Sequence, residues 1–165
     1  MTGLTTRLAL LVLSLCSLQF AGCGYHLQGE LTIPAEMKTT YIHAADDYSL
    51  FYRELRLQFQ AAGVKVADSP VDATATFSIL LDATDQRVLS VSARNVPTEY
   101  EVYYSVRYTL QSGDNVLLEP QFVTVTRDYT YNETQVLGKA HEEDVLRDAI
   151  VDDLVRIVLK QISAL

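Results

Sequence analysis

Three side chains in this sequence have both the type and the setting for chemistry: Cys23, Arg94 and Lys139. Cys23 follows Ala21-Gly22 at the end of an apolar run from Leu8 to Phe20. Small residues let a peptidase pocket close on the bond before the cysteine, and the thiol can then carry a diacylglycerol. Arg94 stands beside Asn95 and before Pro97, where a strand-like pattern breaks into a turn, and Lys139 follows Gly138 at the start of a helical pattern. A guanidinium grips an oxyanion with two parallel hydrogen bonds, while an ammonium meets it as a point charge. A helix start adds unpaired N–H groups for an anion. Taken singly, each of these two cations reads as a solvated surface charge.

Other chemistries fall away on spacing. His141-Glu142-Glu143-Asp144-Val145 begins like a helical zinc motif, but the second histidine would have to stand at position 145. His26, His43 and His141 are scattered, so no metal set is expected. A Gly-rich phosphate loop and a Gly-x-Ser-x-Gly elbow are both absent from the sequence. The many carboxylates fit a solvated helix face better than an acid/base pair. Tyr100, Tyr104 and Tyr108 suggest a sugar-stacking platform, but their regular spacing fits a core face better. The expectation is a non-enzyme that needs no cofactor.

The elements around these residues begin with a leader. Arg7, a short apolar core and small residues at the junction make a secretory signal over 1–22. The run is too short to span a bilayer, which takes about 20 apolar residues. Ala21-Gly22-Cys23 resembles the lipobox of bacterial lipoproteins, with Phe20 where that pattern usually has Leu. Residues 23–38 then read as lipid anchor and tether, and 39–165 as one domain. Losing 22 residues from 165 leaves 143, enough for one domain with a real core, and losing Arg7 moves the formal charge from −8 to −9. Such a balance argues against nucleic-acid binding, which needs clustered Lys and Arg. Cys16 leaves with the leader and lipid consumes Cys23, so an exported domain must stand without a disulfide. Gly24 follows the cysteine where, in the lipoprotein sorting pattern, Asp would retain the protein in the inner membrane. That resemblance points to the outer membrane.

Within the domain, Met37 to Ala44 reads as a strand, with Asp46-Asp47 as a cap for the next element. Phe51, Leu55, Phe59 and Ala62 recur at helical spacing, and Gly63 ends that helix. Val64 to Val66 reads as a short strand. From Ala75 the period becomes two, with Phe77, Ile79 and Leu81 on one face. Arg87 to Ala93 alternates less strictly, and Asp82 to Gln86 reads as a bulge or hairpin loop. Tyr100, Val102, Tyr104, Val106, Tyr108 and Leu110 make a dry face against a wet one, the mark of an antiparallel sheet covered on one side. Ser112 to Asn115 turns the chain, and Phe122 to Tyr131 is a further strand with Pro120 at its entrance. Lys139 to Leu165 is a long helix whose stripe is Leu146, Ile150, Leu154, Ile157, Val158 and Ile162. The expected fold is α+β: two helices on one face of a roughly four-stranded, mostly antiparallel sheet.

Several stretches together resemble the LptE family of outer-membrane lipoproteins of lipopolysaccharide assembly. They are Cys23-Gly24-Tyr25-His26-Leu27, Arg94-Asn95 with Glu99-Tyr100, Arg127-Asp128-Tyr129, Asn132, and Leu137-Gly138-Lys139 before an acidic amphipathic helix. The resemblance implies two helices on a four-stranded sheet. It implies a plug that fills and helps to assemble the LptD barrel, and a protein that binds lipopolysaccharide for insertion into the outer leaflet. The family's anion-contacting positions, a hairpin Arg and a Lys before the last helix, fall on Arg94 and Lys139. Competing readings are a lipoprotein pilot or chaperone for a different outer-membrane complex and, last, a periplasmic enzyme.

Overall fold

The computed structural model describes residues 32–130 and 136–165, with the last helix's side chains described from Asp144 onward. The leader, Cys23, the tether up to Leu31 and the Asn132 to Thr134 stretch lie outside the described residues. The chain runs β1 (Thr39–His43), α1 (Leu50–Ala61), β2 (Lys65–Ala67), β3 (Ala75–Val91), β4 (Pro97–Ser112), β5 (Asn115–Thr130) and α2 (Val136–Ile162). The sheet order is β2-β1-β3-β4-β5. β1 is parallel to both neighbours, whereas β3, β4 and β5 form an antiparallel meander. The α+β class stands, with five strands in place of roughly four. The fifth is β2, the short strand expected at Val64 to Val66, three residues long and joined through the β1-α1-β2 crossover.

Local chemistry sets these boundaries. Asp46 and Asp47 do not cap α1. Ser49 does, accepting from the Tyr52 N–H at 3.1 Å, while Asp46 accepts from the Tyr48 N–H in the preceding turn. Gly63 ends α1 at φ +83°, where the Val64 N–H reaches the Phe59 carbonyl and the Gly63 N–H reaches that of Gln60. This pairing of the last carbonyls is the Schellman arrangement that favours glycine. The β4–β5 turn is Gly113-Asp114, with Gly113 at φ +56° and Ser112 opposite Asn115. β5 starts at Asn115, seven residues before the predicted Phe122, so Pro120 lies inside it. The register slips on both sides of Leu118, and β5 is an edge strand, which is where a residue lacking an N–H can be accommodated.

Both helices lie over the dry face. Phe51, Leu55 and Phe59 of α1 are fully buried with Phe77, Val102, Val106, Tyr108 and Leu110 of the sheet. The Phe77 ring stacks on Tyr108 at 5.2 Å and meets Phe59 edge-on at 5.7 Å. α2 packs on α1 and on β4–β5 through Ile150, Val151, Leu154, Val155, Val158, Leu159 and Ile162. Its buried stripe is wider than the predicted one because the helix touches two neighbours. Val151, Val155 and Leu159 are buried, whereas Ile157 sits at the rim, 36% exposed. Met37, just ahead of β1, is fully buried in the same core.

Candidate functional site

The long β3–β4 hairpin carries the candidate site, and a one-residue bulge divides it. Ile79 pairs with Tyr108 and Leu81 with Arg107, which leaves Leu80 as the extra residue. Side chains alternate along a strand, so one inserted residue exchanges the two faces. Phe77 and Ile79 therefore point to the core, but Leu81 points away from it, 38% exposed, against the expected Phe77–Ile79–Leu81 face. Asp82 takes the inward place beside Val106. There it accepts 2.5 Å hydrogen bonds from Ser49 Oγ and from the Tyr104 hydroxyl. The residue that caps α1 is thus itself held by the hairpin. Burial, reinforced by the Asp82 hydrogen bond, pushes the Tyr104 phenol well above its usual range. Asp82 to Gln86 is continuous strand and not a hairpin loop.

Past the bulge the hairpin outruns α1. Twelve helical residues span about 18 Å, and the 17 residues of β3 about 55 Å. Thr84, Gln86 and Val88 face inward in register yet stay exposed. α2 covers the neighbouring strands instead. Tyr100 stacks on Tyr129 at 5.5 Å, and the Tyr129 hydroxyl donates to Gln86. Arg127 pairs with Asp153 of α2, which also takes Arg156 at 2.8 Å. The hairpin closes through Ser92–Val96. The Ser92 N–H donates to the Val96 carbonyl at 2.8 Å, and the Asn95 N–H to that of Ser92 at 2.8 Å. Asn95 sits at φ +61°, a left-handed conformation that asparagine tolerates better than most residues.

Arg94 occupies this turn and is exposed. Most other arginines of the sheet and helices are held by carboxylates: Arg56 by Asp68, Arg87 by Glu101 at 2.5 Å, Arg127 and Arg156 by Asp153. Arg94 pairs with no carboxylate among the described residues. Topology brings the start of α2 to the same end of the sheet. Thr130, the last residue of β5, pairs with Glu99, and α2 opens at Val136. Nearly three turns further along, Leu146 joins Leu89, Glu99, Asp128, Tyr129 and Thr130 around a cleft at that end. Lys139 is the fourth residue of α2, inside the helix and no longer before it. Its side chain and that of His141 lie outside the described residues, as does Cys23.

A second concavity lies between the helices, lined by Leu50, Arg53, Glu54, Leu57, Asp148 and Asp152. Partial burial and the neighbouring Glu54 raise the Asp152 carboxyl above its usual range. That cleft sets three carboxylates against the single cation of Arg53. Sequence reasoning missed the Ser49–Asp82–Tyr104 cluster. Its only signal was an Asp breaking an apolar alternation, and that signal also fits a loop.

Comparison with known proteins fits this architecture. The family model described as LptE, lipopolysaccharide-assembly, matches residues 37–162. The chain belongs to the LptE family. Among its relatives is the LPS-assembly lipoprotein LptE of Pectobacterium atrosepticum, 28% identical over 161 residues, covering 94% of this chain and 85% of that one. The protein of the same name from Yersinia enterocolitica is 27% identical and covers 94% and 75%. The solution structure of lipoprotein B from Nitrosomonas europaea superposes with a TM-score of 0.71 at 26% identity, over 86% of this chain and 91% of that one. A minor lipoprotein from Acinetobacter baumannii shares the fold, with a TM-score of 0.64 at 22% identity over 78% and 92%.

Proposed function

We propose that this LptE-family chain is an outer-membrane lipoprotein, anchored on the periplasmic side through Cys23, that plugs and helps to assemble the LptD barrel and binds lipopolysaccharide through Arg94 and Lys139. The observation that carries the ligand assignment is the unpaired, exposed guanidinium of Arg94 on a turn at the end of the sheet where α2 begins. A phosphorylated glycolipid offers oxyanions to two such cations, and an acidic protein must collect them locally, against its own field. Large barrels also need filling, and a domain with a long, uncovered sheet face offers polar surface to a polar lumen.

Charge-assisted contacts to phosphate are worth about 1.5–3 kcal/mol each when well made, and exposure brings them toward or below the lower end. The pair Arg94→Asp and Lys139→Asp should therefore weaken binding of purified lipopolysaccharide about tenfold or more, with the larger loss at low salt. Co-purification of LptD with the double variant should persist, since Arg94 lies outside the core. A folded double variant that binds lipopolysaccharide as the parent does would reject the assignment. Mass spectrometry of the mature protein should find acyl chains on Cys23, and an unmodified terminus elsewhere would reject the anchor.

A further inference from the structure

β1 pairs with β3 only from Ala75 to Ser78. From Leu80 to Val91, β3 is bonded to β4 on one side and to no strand among the described residues on the other. Alternate N–H and C=O groups along this run point away from β4 with no ladder partner. Leu80, Leu81, Val88, Leu89 and Val91 are each between 38% and 53% exposed along it. The β5 edge is blunted by Pro120 and two register slips, while the β3 run has irregularities only at its two ends, at Leu80 and around Ser90. The β3 edge carries neither Pro nor Lys over these residues, two of the guards against pairing with another chain, and between Leu81 and Val88 its register is unbroken. Its charges are also unequal. Arg87 is neutralised by Glu101 and lies over the Tyr103 ring, whereas Asp85, opposite Tyr103 in register, forms no ion pair among the described residues.

We infer that this edge takes up one extended strand of the barrel partner by β-augmentation, a strand with a basic residue opposite Asp85 and apolar residues beside Leu81 and Val88. The inference rests on the plug reading above and gives that reading a mode of contact. Backbone pairing supplies affinity in such an arrangement, and alternate side chains supply register. The acidic charge of the whole chain favours a cationic strand over an anionic one.

A photo-crosslinking amino acid placed at Ala83 or Asp85 of the full-length lipidated chain in intact cells tests it, with the same probe at Thr126 on β5 as the comparison. Adducts to the barrel chain are expected from both β3 positions, on one partner segment and at sites about two residues apart, with few from Thr126. Asp85→Lys should reduce the Ala83 adduct several-fold in a protein that still folds. Four outcomes overturn the inference. They are a barrel that co-purifies but yields no β3 adduct, adducts scattered over several partner segments, an adduct between two copies of this chain, or an Asp85→Lys protein that crosslinks as the parent does. A barrel that fails to co-purify at all removes the plug reading itself, and is distinguished from these by that alone.

Discussion

The two halves of the β3–β4 hairpin share one ladder and do opposite jobs. In the proximal half, Phe77 and Ile79 meet Leu110 and Tyr108, and every inward side chain is buried. In the distal half the same strand turns Asp82, Thr84 and Gln86 inward and leaves Leu81 and Leu89 in the open. Composition alone does not explain the change, because Leu80, Leu81, Val88 and Leu89 are as apolar as the residues of the core. The Leu80 bulge and the reach of α1 do: one extra residue turns Leu81 to the other face and gives an aspartate the inward place, and Val88, though inward, lies past the end of the helix. A strand can thus be anchored at one end and present itself to other molecules at the other.

The largest effects should separate the halves by stability. Phe77→Ala empties a site touched by Phe59 and Tyr108 and should cost about 3–5 kcal/mol. Val88→Ala in the distal half should stay within about 0.5 kcal/mol. Urea unfolding of both variants checks this, and equal losses would mean that the distal half is packed as tightly as the proximal. Next comes the joint between them. Asp82→Ala removes the acceptor of Ser49 and Tyr104 and should cost about 1–3 kcal/mol. Because the three residues act as one cluster, the loss should be strongly non-additive with Ser49→Ala in a double-mutant cycle. Simple additivity would place the α1 cap outside the hairpin's control.

How much of this could be read in the sequence follows the same division. The Tyr100–Leu110 alternation identifies β4, because that strand face is buried from Val102 to Leu110 and period two is then strict. Phe51, Leu55 and Phe59 marked α1 for the corresponding reason. Leu81 and the Asp82 to Gln86 stretch misled, since a bulge leaves no residue type of its own and an inward aspartate looks like a loop residue. Pro120 was assigned to a strand entrance because only the fold tells that β5 is an edge. For the site, a turn around Arg94 was legible in Asn95 and Pro97. That Arg94 stays unpaired while Arg87 and Arg127 do not is a matter of cross-strand and cross-layer partners, which sequence order hides.

Alkaline pH should destabilise the domain through the buried phenols of β4. Burial pushes the Tyr108 phenol up to about 12, from an ordinary value near 10. The native state then holds its proton after the unfolded chain has lost it. Stability is full below pH 10 and falls as pH rises from about 10 toward 12. Tyr104, raised further, extends the fall beyond that window. Thermal melts between pH 9 and 12 should show a smaller decline for Tyr108→Phe than for the parent, after allowing for the lost bond to Gln161. An equal decline would mean that ionisation elsewhere drives it.

The smallest stability effect belongs to the turn. Arg94 is exposed, unpaired and outside the core, so Arg94→Asp should leave the melting temperature within about a degree or two, the effect of a few tenths of a kcal/mol. The neighbouring position guards against a trivial explanation. Asn95 holds φ +61°, so Asn95→Ala should cost about 1 kcal/mol through backbone strain, and Asn95→Gly should be nearly neutral. If lipopolysaccharide affinity follows the charge at Arg94 and tolerates Asn95→Gly, the turn presents a cation and its exact backbone matters little. If affinity falls with Asn95→Ala as steeply as with Arg94→Asp, turn geometry sets the contact. Should both substitutions leave affinity untouched in folded protein, the distal half has no ligand at its tip. Its contrast with the proximal half would then rest on partner binding along the β3 edge alone.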